Sequence, residues 1–342
     1  MESKRILLAG LFSFIVTLSL AQTESGEFKI LFYNLENLFD IKNDSLTNDE
    51  NFTPEGEMHW TYNRLNSKLK NVSKVIIAAS GWKMPDILLF CEIENRFVLD
   101  KLANETPLKN TAYKIIHKES PDHRGIDVAM LYNSTRFYPI SYKYYPLIFK
   151  NEALKTREIL CVSGIVDGND TIHILGNHWP SRYSGLLETR ELRGAAAHLL
   201  KGLVEQLKTD YKNPKIIIAG DFNESPDDNS IQNILGARSY EKTITDSAIY
   251  NLSTNWVKAN NGTLKYQSQW FVFDQIMVSG TLLNSNVRLH TNPENASIVN
   301  LPFLLEEDKK FGGRKPYRTY NGFDYQGGFS DHLPVMLRLS IN

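Results

Sequence analysis

Residues 216–223 read Ile-Ile-Ile-Ala-Gly-Asp-Phe-Asn, a short apolar run that ends in an acid and an amide. An apolar run of about four to seven residues, bounded by Gly, Pro, Asn or Asp, is typical of a strand covered on both faces. Similar runs occur at 29–33, 87–91, 127–131, 159–165, 171–175, 271–277 and 335–339. The sequence therefore predicts a core of short buried strands.

Helical patterns lie between some of these runs. Residues 60–79 and 187–207 carry apolar side chains at the spacing of a helix that packs on a sheet. The runs 159–165 and 171–175 are joined by Asp-Gly-Asn-Asp, which predicts an antiparallel hairpin. Because no regular βαβ rhythm, repeat or linker is present, we expect a mixed sheet in one domain. Three segments are expected to be surface excursions that shape a site: 40–58, 133–157 and 225–268.

The first residues have the layout of a cleavable secretory signal. Lys4 and Arg5 precede an apolar stretch, 6–20, which ends in Ser-Leu-Ala before the polar Gln22. The alternative of a membrane anchor is disfavoured because a span needs about 20 apolar residues. We predict a signal peptide at 1–21, a single domain at 22–342, and export to the periplasm or the extracellular space.

Charge and cysteine content restrict the function only weakly. The formal net charge is −1, so the chain has no overall attraction for polyanions. Export permits a disulfide, but Cys91 and Cys161 lie in apolar strand-like runs, where a free cysteine behaves as a small buried hydrophobe. We therefore expect two free, buried thiols.

Polar residues follow several of the apolar runs. Asn34 and Glu36 come after 30–33, and Glu92 comes directly after 87–91. Asn34 alone would be read as a turn cap, but a carboxylate at a buried strand end needs a partner of opposite charge. A hard divalent cation such as Mg²⁺ is a natural partner, since it binds carboxylates, water and substrate phosphate.

A second group of polar residues follows the run that begins at Ile172. Asn177, His178 and Arg182 lie in the loop Gly-Asn-His-Trp-Pro-Ser-Arg, which would offer His178 and Arg182 to an anion. The alternative for His178 is a core histidine held by a carbonyl group. Arg124 is a further candidate for substrate binding.

Acid and histidine residues suggest a proton-transfer pair. Asp274 lies within an apolar strand, and His332 follows Ser330-Asp331. An Asp beside His332 would fix the imidazole tautomer and give a general base with a pKa near neutrality. Asp221 and Asn223, two apart on an extended segment, could hold an attacking water, and His178 could hold a phosphoryl oxygen.

Other chemistries lack their motifs. The sequence contains no Gly-x-Ser-x-Gly elbow, no Gly-rich phosphate loop followed by Lys-Ser/Thr, and no His-x-x-x-His or Cys-x-x-Cys pair. Attack of water on phosphorus with one Mg²⁺ remains.

The order Asn-x-Glu, Glu, Asn-His, Gly-Asp-Phe-Asn, Asp and Ser-Asp-His resembles the deoxyribonuclease-like endonuclease/exonuclease/phosphatase superfamily over residues 28–339. The resemblance implies a four-layered α/β sandwich, with two mixed β-sheets face to face and helices outside. The segment Asn34-Leu-Glu36-Asn-Leu-Phe-Asp40 is similar to that of an exported bacterial subgroup, in which Glu36 adds an acid to the first motif. The loop 176–182 departs from the well-studied branches, so substrate specificity does not carry over.

The resemblance also implies residue roles. The implied cofactor is Mg²⁺, with Mn²⁺ or Ca²⁺ as alternatives. The implied metal-site residues are Glu92 as principal ligand, Asn34, Asp331 and, as an open question, Glu36. The implied catalytic residues are Asp221 and Asn223 for the nucleophile and phosphate, His178 for the phosphate, and Asp274 paired with His332.

Together these observations predict an exported metal-dependent phosphodiester hydrolase, in the first instance a non-specific nuclease acting on nucleic acid. The alternative is a phosphatase or phospholipase-type phosphodiesterase acting on a sugar, inositol or lipid phosphate. A catalytically inactive binding protein is disfavoured because every mapped catalytic position is filled. We expect a monomer with no obligate protein partner and no stable membrane anchor.

Two surface segments bear on the substrate. Basic residues cluster within 309–318, where they form either a solvated loop or an electrostatic funnel for an anionic substrate; they are Lys309, Lys310, Arg314, Lys315 and Arg318. Segment 142–149 is either an ordinary edge strand or an exposed apolar hairpin of the kind found in lipid-directed relatives.

Overall fold

This computed structural model describes residues 26–81, 83–183, 185–241, 243–258 and 262–342. The signal peptide predicted for 1–21 lies outside these ranges. Within them, no helix has both the length and the apolar character needed to cross a bilayer.

Two large sheets dominate the described ranges. Their strands, in chain order, are β1 (Gly26–Leu38), β2 (Ile87–Ile93), β3 (Tyr113–Ile116), β4 (Asp127–Asn133), β5 (Phe137–Tyr145), β6 (Ile159–Val166), β7 (Asp170–His178), β8 (Lys215–Asp221), β9 (Arg238–Ser239), β10 (Ile249–Asn251), β11 (Asp274–Ser279), β12 (Leu289–His290), β13 (Ala296–Ile298) and β14 (Val335–Ile341). Sheet 1 has the order β12-β14-β1-β2-β4-β3, with β13 also paired to β14. Sheet 2 has the order β9-β10-β11-β8-β7-β6-β5. Both sheets are mixed, because β1 with β2 and β7 with β8 are parallel pairs among antiparallel ones.

The sheets pack face to face, with helices on their outer faces. In sheet 1, Ile30 and Phe32 point into the core between the sheets, and the alternate residue Leu31 packs with the helices α1 (Tyr62–Ser80) and α2 (Arg96–Glu105). In sheet 2, Ile217 faces that shared core, and Ile218 packs against α3 (Arg190–Asp210). The predicted four-layered α/β sandwich is confirmed.

The predicted helices are confirmed, with shifted ends. α1 begins at Tyr62 because the Thr61 side chain accepts a hydrogen bond from the backbone N–H of Arg64. The Asn95 side chain caps α2 in the same way. The remaining helical segments are short: α4 (Thr254–Lys258), Glu50–Phe52, Pro107–Thr111, Ser230–Leu235, Gly280–Leu283, Pro293–Asn295 and Pro302–Leu304.

The predicted hairpin is also confirmed, since β6 and β7 pair antiparallel from Leu160–Gly176 to Val166–Asp170. Segment 133–157 is more regular than expected, because β5 pairs along most of β6 and forms an edge strand rather than a loop. Four small two-stranded ladders complete the strands of the described ranges: 148–149 with 152–153, 264–266 with 269–271, 305–307 with 314–316, and 320–321 with 324–325.

Both cysteines are free, as predicted. Cys91 is buried between the sheets, but Cys161 lies on the outer face of β6 and is only half-buried, which corrects the expectation of two buried thiols.

The polar strand ends meet at one edge of the sandwich. β7 and β8 run parallel and end at neighbouring residues, His178 and Asp221. β11 runs antiparallel to β8, so that its first residue, Asp274, pairs with Asp221. The sequence predicted Asp274 inside a strand, but Asp274 is the first residue of β11, and His332 precedes β14.

Candidate active site

His332 and Asp274 form a hydrogen-bonded pair. His332 Nδ1 lies 2.7 Å from Asp274 Oδ2, and His332 Nε2 lies 3.8 Å from Asp221 Oδ2. The backbone N–H of His332 donates to Ser330 Oγ at 3.1 Å, which fixes the turn before β14. Burial disfavours the imidazolium, but the carboxylates of Asp274 and Asp221 outweigh it and raise the pKa of His332 well above its ordinary value. The sequence predicts a pKa near neutrality for His332, and the two carboxylates place that pKa higher.

Asp221 is the centre of a second set of contacts. Asn34 Nδ2 donates to Asp221 Oδ2 at 3.1 Å, and the backbone N–H of Asn223 donates to Asp221 Oδ1 at 2.9 Å. Burial, together with nearby Asp274 and Glu92, raises the pKa of Asp221 to about 6 against the opposing effect of His332. Gly220 is required here, because a Cβ would lie 2.3 Å from the carbonyl oxygen of Asn177 on β7.

Asn223 does not continue the strand. Its φ of +50° lies in the left-handed region, and its Nδ2 donates to the carbonyl oxygen of Trp179 at 3.1 Å. The chain therefore turns after Asp221. Contrary to the prediction from the sequence, Asp221 and Asn223 do not share one side of an extended segment, although both residues lie at the site.

His178 is buried beside the carboxylates. Its Nε2 lies 3.9 Å from Glu92 Oε1 and 3.8 Å from Asp221 Oδ2, and its Nδ1 has no hydrogen-bond partner among the described residues. Burial, with added repulsion from Arg157 and Arg124, holds the pKa of His178 well below its ordinary value. His178 is therefore neutral and offers one N–H donor.

Glu92 is turned toward the site by a break in its strand. The pairing of β2 with β4 shifts register between Cys91 and Ile93, and Glu92 itself has a φ of +59°. Its Oε2 accepts a hydrogen bond from the backbone N–H of Asn37 at 3.0 Å. The side chain stays partly accessible, so that its other oxygen can bind a ligand at the site.

Glu36 and Asp331 both form ion pairs with the side chain of Arg318. Arg318 Nε lies 3.0 Å from Glu36 Oε1, and Arg318 Nη2 lies 3.0 Å from Asp331 Oδ2. Glu36 Oε2 also accepts from the backbone N–H of Thr319 at 2.6 Å. These bonds make Glu36 an anchor for the Arg318 segment, in place of the metal ligand that the sequence left open. Burial raises the pKa of Asp331, but Arg318 and His332 outweigh it and lower that pKa.

The predicted substrate-binding residues lie in supporting positions. Asn177 is fully buried, with its Oδ1 accepting from Trp179 Nε1 and its Nδ2 donating to Leu175. Arg182 binds the carbonyl oxygen of Asn223 at 2.6 Å and the carboxylates of Glu224 and Asp228. These contacts assign Asn177 and Arg182 to fixing the loop, in place of the substrate contacts expected from the sequence.

The position of Arg124 is compatible with the substrate binding that the sequence predicts for it. Its side chain is about one-third exposed, with Nε 3.7 Å from Asp122 Oδ1. Its charge reaches His178, whose pKa it helps to lower.

Two buried cations at the site escaped the sequence analysis. Lys68 of α1 donates to Thr319 Oγ1 and to the carbonyl oxygen of Phe329, both at 2.5 Å, and burial lowers its pKa to about 8. Arg157 binds Asp122 and the carbonyl oxygen of Trp179, each at 2.8 Å. The sequence did contain an indication that Lys68 is buried, because this residue interrupts the apolar face of α1. The sequence contained no such indication for Arg157, since its hydrogen-bond partners come from distant loops.

The residues fit a divalent cation. Ligand atoms of Asp221, Asp274 and His332 all lie within 4.8 Å of one another, and Asp274 Oδ1 is buried without a hydrogen-bond partner in the described ranges. Glu92 Oε1 and Asp221 Oδ2 both lie within 4 Å of His178 Nε2, which brings a further carboxylate to the same place. Oxygen donors of this kind suit a hard metal ion.

The profile of the Endonuclease/Exonuclease/phosphatase family matches residues 29–341. The chain belongs to this family. Its enzymes hydrolyse phosphoric esters with divalent metal ions, which agrees with the carboxylate and histidine cluster described above. No curated protein matches the chain significantly.

Several solved structures share the fold. The human nocturnin catalytic domain with bound sulfate is 14% identical, with a TM-score of 0.56 over 92% of this chain and 95% of that one. D. rerio TDP2 complexed with single-strand DNA product is 13% identical, with a TM-score of 0.54 over 92% and 98%. A Bacteroides thetaiotaomicron mannosyl-6-phosphatase is 17% identical, with a TM-score of 0.55 over 91% and 99%. At these identities the similarity establishes the fold alone.

Proposed function

We propose that this protein is a metal-dependent phosphodiester hydrolase that uses a water molecule as its nucleophile. The observation that carries the proposal is the 2.7 Å contact of His332 with Asp274, with His332 Nε2 turned toward Asp221. Such a pair can take a proton from water at Nε2 while Asp274 fixes the ring through Nδ1. The neutral His178 then donates to a phosphoryl oxygen.

Three carboxylates are proposed to bind the metal ion. Glu92, Asp221 and Asp331 are the proposed ligand donors, with Mg²⁺ as the first candidate and Mn²⁺ or Ca²⁺ as alternatives. When bound, the cation would polarise a phosphoryl oxygen and offset the negative charge of these groups. Asn34 orients Asp221 through its 3.1 Å hydrogen bond, which supports a positioning role beside the metal site.

Nucleic acid is the substrate that we propose first. A relative of the same fold was solved with a single-strand DNA product, and this chain carries a basic segment, 309–318, near the site. The second candidate is a sugar phosphate, favoured by the similarity to a mannosyl-6-phosphatase and by a net charge that gives no general attraction for polyanions. An inactive binding protein is disfavoured, because the hydrogen-bonded pair and the carboxylate cluster are both complete.

We also propose export, with cleavage after residue 21, and membership of the exported bacterial subgroup named above. The support is the signal layout of 1–21 and the motif that begins at Asn34. N-terminal sequencing of the protein from the periplasm and the medium tests this proposal. A chain that retains Met1 and stays in the cytoplasm would contradict it.

A substrate panel tests the function directly. Plasmid DNA, RNA, mannose 6-phosphate, sphingomyelin and phosphoinositides are incubated with the enzyme and Mg²⁺, with and without EDTA. We expect turnover of DNA or RNA that EDTA abolishes and Mg²⁺ restores. Turnover of mannose 6-phosphate alone would favour the second candidate, and turnover that survives EDTA would contradict the metal-dependent mechanism.

A further inference from the structure

A cavity of about 360 Å³ lies beside the candidate active site, between two small hairpins. One hairpin pairs Leu264–Tyr266 with Gln269–Phe271, and the other pairs Leu305–Glu307 with Arg314–Pro316. We call this cavity the basic pocket. The residues that matter here are Lys265, Tyr266, Lys310, Phe311, Lys315 and Arg318.

The segment that leads into the first hairpin of the basic pocket also contacts the His332–Asp274 pair. Leu264 forms a β-bridge with His332, and Thr263 Oγ1 accepts from the backbone N–H of Asp274 at 3.1 Å. Arg318 lines the pocket and lies 3.0 Å from Asp331, the residue before His332. A ligand group in the pocket would therefore lie next to a phosphate held at the site.

Positive charge in the pocket is only partly neutralised. Lys265 is paired with Asp308 at 2.7 Å, and both side chains are buried. Lys315 lies 3.4 Å from Glu306 in a half-buried pair, whose side chains are each about 30% exposed, so that water partly screens their attraction. Within the part of the chain that the structure describes, no carboxylate oxygen lies within 4.0 Å of Lys310 Nζ. Lys310 and Lys315 can therefore bind an anion.

Aromatic rings stand at the same pocket. Tyr266 is 66% exposed and Phe311 is 42% exposed, and Lys310 Nζ lies 5.1 Å from the centre of the Phe311 ring. A single exposed aromatic residue needs no explanation. Here two exposed aromatic rings lie beside Lys310, and together they form a surface on which a planar ring attached to a phosphate can stack.

We propose that the basic pocket is a second subsite, which binds a phosphate group of the substrate next to the scissile one. This inference rests on the proposed function and extends it to the substrate class, an ester with at least two phosphates. A nucleotide strand and a sugar bisphosphate both present this chemistry. The aromatic rings favour the strand.

Equilibrium binding in EDTA tests the subsite without turnover. Calorimetric titration of the full chain compares thymidine 3′,5′-bisphosphate with thymidine 5′-monophosphate. We expect about tenfold tighter binding of the bisphosphate, since two charge-assisted contacts are gained. The double variant Lys310→Ala/Lys315→Ala should lose this preference. Equal affinities in the unaltered protein, or a preference that survives in the double variant, would overturn the proposal.

Lys309→Ala is the matched control. It removes one positive charge, where the double variant removes two, from a neighbouring exposed residue that does not line the pocket, so the preference should persist. Loss of the preference in this control would show a general charge effect and would also overturn the proposal.

Two further binding experiments distinguish a nucleotide strand from a sugar bisphosphate as the molecule that carries the second phosphate. For a nucleotide strand, Tyr266→Ala/Phe311→Ala weakens binding of the thymidine bisphosphate severalfold and leaves glucose 1,6-bisphosphate unaffected. For a sugar substrate, glucose 1,6-bisphosphate binds as tightly as the nucleotide, and the aromatic variant changes neither. Hydrolysis of bis-p-nitrophenyl phosphate is measured in parallel. Turnover without the binding preference refutes the subsite alone, and the preference without any turnover refutes the proposed function alone.

Discussion

At the residue scale, the environment of His332 sets the expected pH dependence. Asp274 is the neighbour that does most to raise the pKa of His332 against the opposing effect of burial. A general base must be neutral to accept a proton, so the rate should rise as pH increases through this pKa. The acid limb of the profile therefore reports the Asp274–His332 pair.

Asp274→Asn should move that limb to lower pH. Loss of the carboxylate charge lowers the pKa of His332, so the neutral imidazole persists in more acidic solution, although the maximal rate falls. The measurement is kcat/KM for bis-p-nitrophenyl phosphate against pH. Asp210→Asn, at the exposed end of α3, is the control and should leave the profile in place. An acid limb that does not move in Asp274→Asn would contradict the assigned base.

Glu92→Gln should weaken the response to Mg²⁺. Replacing a ligand carboxylate by an amide should raise the Mg²⁺ concentration for half-maximal activity about tenfold or more. Glu94→Gln is a close control, because burial raises the pKa of Glu94 to about 9 and the carboxyl is already protonated at neutral pH. If both variants give the Mg²⁺ titration of the unaltered enzyme, Glu92 is not a metal ligand.

Residues of opposite charge were the easiest to predict from the sequence. The pairing of Asp274 with His332 could be predicted, because an acid and an imidazole in apolar surroundings each need a polar partner. Asn177 and Arg182 were misjudged, since their bonds to Trp179, Asn223 and Glu224 form only in the folded loop. Sequence alone cannot tell a polar group that supports a loop from one that faces the substrate.

At the element scale, strand direction explains how the site assembles. β7 and β8 are parallel and bring His178 and Asp221 together at their ends, whereas β11 and β14 contribute residues at or just before their starts. The apolar runs predicted the long strands, because both faces of each are covered. The short ladders between 264 and 325 were not predicted, since two or three paired residues leave no periodic pattern.

The seam between sheet 2 and α3 should make stability depend on pH. His173 on β7 bonds Ser163 Oγ at 2.7 Å and packs on Tyr211, and burial lowers its pKa from 6.5 to about 4. Between these two pH values His173 binds a proton in the unfolded chain but not in the folded chain. The contribution of His173 to the free energy of unfolding is therefore fully present above pH 6.5 and is lost as the pH drops toward 4. Between pH 7 and pH 5 this group should account for a loss of about 2 kcal/mol.

Chemical denaturation at both pH values measures this loss. His173→Asn should shrink the difference between the two free energies of unfolding, whatever its effect on either one. His198→Asn changes an exposed histidine on α3 and should leave the difference intact. A difference that is the same in His173→Asn as in the unaltered protein would contradict the assigned cause.

At the scale of the whole molecule, the two packed sheets hold distant segments in one place. Asn34, Glu92, His178, Asp221 and His332 come from both sheets, and the shared apolar core fixes the distance between them. The sequence predicted this convergence through the motif order. It did not predict the basic pocket as a cavity, because the pocket depends on how two short hairpins pack.

The most direct test of the account compares His332→Ala with His290→Ala. His290 is half-buried on β12, which pairs with the far end of β14, so it is a matched control. With saturating Mg²⁺ and bis-p-nitrophenyl phosphate, His332→Ala should lower kcat by about a thousandfold, equivalent to about 4 kcal/mol, and His290→Ala should leave it unchanged. A loss smaller than about tenfold in a folded His332→Ala protein would contradict the claim that this imidazole takes the proton from water.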